Sequence, residues 1–196
     1  MVEAPDLTSL QFHLATPVYR YHQHQGETND CGPTCLAMAA NARLGEARFL
    51  GAAVAQEMNR WRPSARPKLQ MTPPRIRRWA TFPWGIVQYL RDHGIAARWA
   101  VGGTLERLRR NLLDDRITLV IIGEPLRWRK GRYDGWSHFK IVFGYTPGEG
   151  LLFVDPAQTR LPDPPTFWKQ NGLSWQDEAS FLRQWRQMGR LYIEVD

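Results

Sequence analysis

The chain has 196 residues, 43% of them hydrophobic and 23% charged, with a net charge of +7. That length fits one domain burying roughly two-thirds of its unfolded surface, and the composition is that of an ordinary globular protein, neither disordered nor fibrous. Two cysteines are too few for a disulfide scaffold, the first residues lack the basic start and apolar run of a signal peptide, and the longest apolar run, near "TLVIIG", falls far short of a membrane span. The location expected from this is cytoplasmic.

In chain order, "CGPTCLAMAANAR" (31–43) is rich in strong helix formers, with Pro33 in a first turn where its missing N–H does little harm and Gly45 as a stop. Residues 46–58 read as a second helix. From Arg60 to Pro74 prolines stand at 63, 67, 73 and 74, which predicts an irregular loop. "PWGIVQYLRDHG" has helical spacing closed by Gly94, with His93 as a C-terminal cap. "AARWAV" reads as a strand and "TLERLRRNLLDD" as a short helix. "ITLVII", "HFKIVFGY" and "GLLFVDP" are β-branched and aromatic runs broken by Gly and Pro, so they read as strands, the last two joined by a "PGEG" hairpin. "LSWQDEASFLRQWRQMG" follows as an amphipathic helix with Ser174 as N-cap, then a final strand, "RLYIEV". Helices first and strands after predict an α+β domain with an antiparallel sheet. The expected organisation is a single domain over 1–196 with a Pro/Arg/Trp-rich insertion at 60–84.

The charge is carried by 22 arginines and 4 lysines. Arg60, Arg62, Arg66, Lys68, Arg75, Arg77 and Arg78 crowd together with Trp61 and Trp79 between them, a composition able to grip an acidic partner through charge and stacking. No nucleic-acid motif accompanies it, so nucleic acid is not an expected partner and a solvated basic loop is the plain alternative.

Both cysteines lie in "QGETNDCGPTCLAM". Cys31 and Cys35 are spaced C-x-x-x-C, not the C-x-x-C of thioredoxin-like redox sites, and helical positions four apart suit a disulfide poorly. His22, His24, Cys31 and Cys35 supply four zinc-ligand types, but their spacings match no common zinc site, and both histidines read as exposed polar residues ahead of the helix. A nucleophile fits better. A sulfur at a helix N-terminus gains from the unpaired N–H groups, which favour thiolate, and Gly32 removes bulk beside it. Cys35, one turn deeper among Leu36, Met38 and Ala39, reads as a small core residue.

A nucleophilic cysteine needs a base. His138 opens an apolar strand and Asp155 ends the next one, so a hairpin would set the two side chains together at one sheet edge, Asp155 orienting His138 and His138 drawing the proton from Cys31. Each also has a plain structural reading, an edge histidine and an Asp-Pro turn. Gln25, six residues before Cys31, is placed to return its amide to the sulfur as an oxyanion donor.

Gln25, Asp30-Cys31-Gly32-Pro33 and the helix "CLAMAAN" together resemble the start of the C39 peptidases, a papain-like cysteine protease group with an oxyanion glutamine six residues before the catalytic cysteine. "HFKIVFGY" and "LLFVDP" resemble that family's His and Asp-Pro strands in the same order, and "TFPWGIVQYLRDHGIAARW" its intervening helix and strand, so the likeness spans about residues 20–160. It implies a papain-like α+β fold with N-terminal helices on a C-terminal antiparallel sheet. It also implies Cys31 as nucleophile, His138 as base and acid, Asp155 as orienting residue and Gln25 as oxyanion donor. The reaction implied is cleavage of a peptide or protein substrate through a thioester, with no cofactor and no metal. Well-known members cut leader peptides after a double glycine and are fused to a transporter; no membrane segment follows here. Two other functions share these residues: transfer of the acyl group to an amine acceptor, and a binding module that uses the basic loop. The 60–84 stretch is longer than expected in the family and is suited to a lid or substrate-selecting loop.

Overall fold

The computed structural model describes residues 10–60, 73–129, 132–160 and 171–196. After β1 (Phe12–His13) and one turn of 3-10 helix (Val18–Tyr21), the chain enters α1 (Cys31–Leu44). Every residue of α1 from Gly32 to Ala42 is buried. A helix that is apolar all round belongs inside the protein, and small residues let its neighbours close on it from every side. It ends at Gly45, whose φ of 71° is the left-handed conformation that glycine adopts without strain.

The second helix, α2, runs only from Gly51 to Met58. The expected helical start at residue 46 is not formed because Asn41, buried on α1, takes over the backbone there. Its Oδ1 accepts from the N–H groups of Arg48 (2.9 Å) and Phe49 (2.7 Å), and its Nδ2 donates to the Phe49 carbonyl. An amide that satisfies three backbone groups holds 46–50 as a turn.

Residues 61–72, which hold most of the expected irregular loop, lie outside the described residues. Its end forms a hairpin that the sequence reading missed, β2 (Arg75–Ile76) against β3 (Ala80–Thr81). Then come α3 (Pro83–Asp92), β4 (Ala97–Ala100) and α4 (Leu105–Leu113), the last capped by the Thr104 hydroxyl on the Arg107 N–H. β5 (Ile117–Arg129) and β6 (Arg132–Thr146) are longer than the apolar runs that announced them, and β7 (Gly150–Val154) follows the expected hairpin.

The stretch read as one helix from Ser174 divides. Leu173–Asp177 is a strand, β8, and α5 starts only at Glu178, with Asp177 as its N-cap accepting from the Ser180 N–H at 2.9 Å. β9 (Tyr192–Val195) closes the chain. Among the described residues the main sheet has seven antiparallel strands in the order β4-β9-β5-β6-β7-β8, with β1 also paired to β6. Helices α1 and α5 pack on this sheet, and every residue of β7 is buried, so both faces of that strand are covered. The α+β architecture is therefore present as expected. No helix among the described residues is long and apolar enough to cross a membrane.

One ionic cluster sits apart from the helix–sheet core. Glu194 on β9 is fully buried and accepts from Arg98 (2.5 Å), Arg107 (2.6 and 2.9 Å) and Asn111 (2.8 Å). Burial pushes its carboxyl up, but those donors outweigh burial and bring it to about 2. The cluster fixes α4 and β4 to β9.

Candidate active site

The first turn of α1 fixes Cys31. Its N-cap, Asp30, does not cap with its side chain; the carboxylate instead pairs with the buried Arg75 of β2. Asn29 Nδ2 donates to the Arg78 carbonyl at 2.8 Å, a second tie between the same loop and hairpin. These ties bring β3 hard against the cysteine turn: a Cβ on Gly32 would stand 2.7 Å from the Thr81 Cβ. Gly32 is thus required by the close approach of β3. Arg75 correspondingly leaves the basic surface, while Arg77 and Arg78 stay exposed.

His138 projects from β6 and Asp155 follows the end of β7, the neighbouring strand. His138 Nε2 lies 2.7 Å from Asp155 Oδ1. The other ring nitrogen is not engaged by Asp155, and Cys31 lies close enough to the ring to raise its pKa. Burial alone would depress the imidazole; the hydrogen bond to Asp155 and the adjacent sulfur outweigh it and raise His138 to about 9. The ring is therefore a cation at neutral pH.

Asp155 is 2% exposed and fully engaged. Oδ1 also accepts from the Ala157 N–H (2.9 Å), while Oδ2 accepts from Lys140 Nζ (2.9 Å) and from the Ser174 hydroxyl (3.0 Å). Burial raises this carboxyl, but His138 and Lys140 win and hold it well below the usual carboxylate range. Lys140 and Ser174 were not among the expected site residues. Lys140 carried a readable signal, since it sits two positions from His138 and so on the same face of β6. Ser174 had been read as a helix cap; its true place on β8, across from Phe153 of β7, turns it toward Asp155.

His22, read as an exposed residue, is buried at 9% exposure. Its Nε2 lies 2.9 Å from the Asp155 carbonyl oxygen, behind the site, and burial lowers its pKa. His24 is exposed and accepts the Gly26 N–H through Nδ1 at 3.2 Å. Cys35 is fully buried, with its thiol directed at the Phe139 carbonyl at 3.3 Å, and burial raises its pKa strongly. His93 accompanies the end of α3, Nδ1 lying 2.8 Å from the Tyr89 carbonyl oxygen. Among the described residues no group of three or more His, Cys, Asp or Glu side chains is arranged to hold a metal ion.

Gln25 joins the site through its backbone, whose N–H donates to the Pro156 carbonyl at 2.8 Å. Its Nε2 donates one hydrogen to the Thr28 carbonyl (2.7 Å), which fixes the amide and leaves a second N–H free to donate. Gln25, Cys31, His138 and Asp155 all line one cleft of about 1110 Å³. An imidazole paired with a buried carboxylate in one cleft with a thiol and an amide is chemically able to activate a sulfur and to receive an oxyanion.

A crystal structure of a Bacillus anthracis protein assigned as a C39-like peptidase superposes with a TM-score of 0.64 over 95% of this chain and 98% of that one, at 16% sequence identity. The chain has a C39-like peptidase fold. The double-glycine-motif protease of an AMS/PCAT transporter, crystallised with its leader peptide, superposes with a TM-score of 0.49 over 94% of each chain, at 14% identity. The sequence matches no family model and no curated protein.

Proposed function

We propose that this C39-like fold is a working cysteine peptidase. The observation that carries the reading is the His138–Asp155 pair in the same cleft as Cys31 and Gln25, with His138 raised to about 9. Cys31 and His138 share one proton, which in the reactive pair rests on His138, and the thiolate attacks the scissile carbonyl carbon. The oxyanion is received by the free N–H of Gln25 and by the Cys31 backbone N–H, which in the first turn of α1 has no intrahelical acceptor. The imidazolium then protonates the leaving amine as the carbon–nitrogen bond breaks, leaving a thioester on Cys31. Water, deprotonated by His138, hydrolyses it. Asp155 holds the ring in place and stabilises its positive charge throughout.

The test is a mixed peptide library incubated with the wild type and with Cys31→Ala, with products read by mass spectrometry. New termini from the wild type alone support the reading. Identical products from both proteins, or none from either, overturn it. An added amine separates hydrolysis from transfer, since both share the thioester.

A further inference from the structure

The cleft around Cys31 is walled by aromatic rings. Trp79, Phe82 and Trp84 come from the hairpin and the start of α3, Trp99 from β4, Trp136 from β6 and Trp175 from β8. Phe82 and Trp84 stack at 4.4 Å between ring centroids and 8° between planes, and Trp99 lies 6.4 Å from Trp84. Trp79, Trp99 and Trp136 are each between 43% and 55% exposed. Three large apolar rings held open to water around one cleft are unfavourable in the free protein and gain on being covered.

The rings offer flat apolar faces, which an aromatic side chain covers by stacking more fully than a flexible hydrocarbon chain does, and the cleft that holds them also holds Cys31 and Gln25, where a peptide backbone would lie. The hairpin that supplies Trp79 and Thr81 is tied to the cysteine loop through Arg75–Asp30 and Asn29–Arg78, so this wall is set in register with the sulfur.

We infer that the cleft selects peptides bearing aromatic side chains next to the scissile bond, through the Trp79–Trp84 wall and the Trp99 and Trp136 rings that line the same cleft. This rests on the peptidase reading for its reaction but not for its binding. Glycine presents no side-chain surface to these rings, so a double-glycine segment gains nothing from them.

Binding and chemistry are therefore tested apart. Acetyl-Phe-Phe-amide, acetyl-Gly-Gly-amide and octanoate are titrated against Cys31→Ala, with tryptophan fluorescence as the readout. The expected result is at least tenfold tighter binding of the aromatic peptide than of either alternative, reduced severalfold by Trp99→Ala and by Trp136→Ala. Equal binding of the two peptides, or preference for octanoate, overturns the inference, and neither outcome depends on the substituted tryptophans folding well. Iodoacetamide labelling of the wild type runs alongside. A Cys31 no more reactive than a free thiol ends the peptidase reading while leaving the binding result to decide the selectivity.

Discussion

Lys140 Nζ lies 2.9 Å from Asp155 Oδ2, on the carboxylate oxygen opposite the one that holds His138. A carboxylate shared between an imidazolium and an ammonium gives each less than its full attraction. Lys140 therefore moderates the rise in His138 while keeping Asp155 ionised. In Lys140→Met no second cation competes for the charge of Asp155, so the pKa of His138 moves up from about 9. In the proposed reaction His138 must be protonated to assist the leaving amine, so activity is present below this pKa and lost as pH rises through it. The expected outcome is an alkaline limb of kcat/KM near 9 in the wild type and higher in the variant. A limb that stays or moves down contradicts the arrangement.

The two cysteines should respond differently to substitution. Cys31→Ala removes the proposed nucleophile and should lower turnover by at least a thousandfold with the fold intact. Cys35→Ala removes a buried sulfur packed at the Phe139 carbonyl, so it should lower stability by about 1–2 kcal/mol and leave turnover within a few fold. Denaturant unfolding beside a peptide assay reads both; equal loss of turnover from both variants, with folding preserved, contradicts the assignment.

Gln25→Ala deletes one of the two proposed donors to the oxyanion and should lower kcat by about a hundred- to a thousandfold with little change in KM. Its Nε2 also holds the Thr28 carbonyl, so a thermal melt is needed beside the kinetics. A rise in KM at unchanged kcat would place Gln25 in substrate binding instead.

Glu194 offers a prediction outside the cleft. Its carboxyl sits near 2 in the folded protein, below its ordinary value of 4.5. The stability it contributes is complete above the unfolded value and is lost as pH falls toward 2. Glu194→Gln removes the charge shared by Arg98 and Arg107 and should lower stability by about 3 kcal/mol at pH 7. It should also flatten the acid side of the stability curve, as read by melting temperatures from pH 7 to pH 3. An unchanged acid slope would mean other carboxylates dominate there.

Legibility from sequence followed the range of the interactions. Helix α1 was readable because its formers, Pro33 and Gly45 are local signals, and β5, β6 and β7 because each is a continuous apolar run. The pairing of His138 with Asp155 followed from a hairpin. Features fixed across the chain were not readable. The β2–β3 hairpin depends on Asp30 and Asn29, more than forty positions away. The turn at 46–50 depends on one buried amide, Asn41. Ser174 was misread because "LSWQDEASF" holds a helical pattern that begins four residues after it, and strand pairing with β7 claimed its start. His22 had no pattern around it to mark it as buried; only the fold carries it behind Asp155.

The central claim is that His138 activates Cys31, and the most direct measurement is intact-mass labelling with limiting iodoacetamide from pH 4 to 9, on wild type and on His138→Ala. The account expects a single label at Cys31 that forms rapidly at pH 6, where a free thiol of pKa ~8.5 is almost wholly protonated, and loss of that rapid phase in the variant. Slow labelling that follows an ordinary thiol titration in the wild type, or equally rapid labelling in His138→Ala, would contradict it.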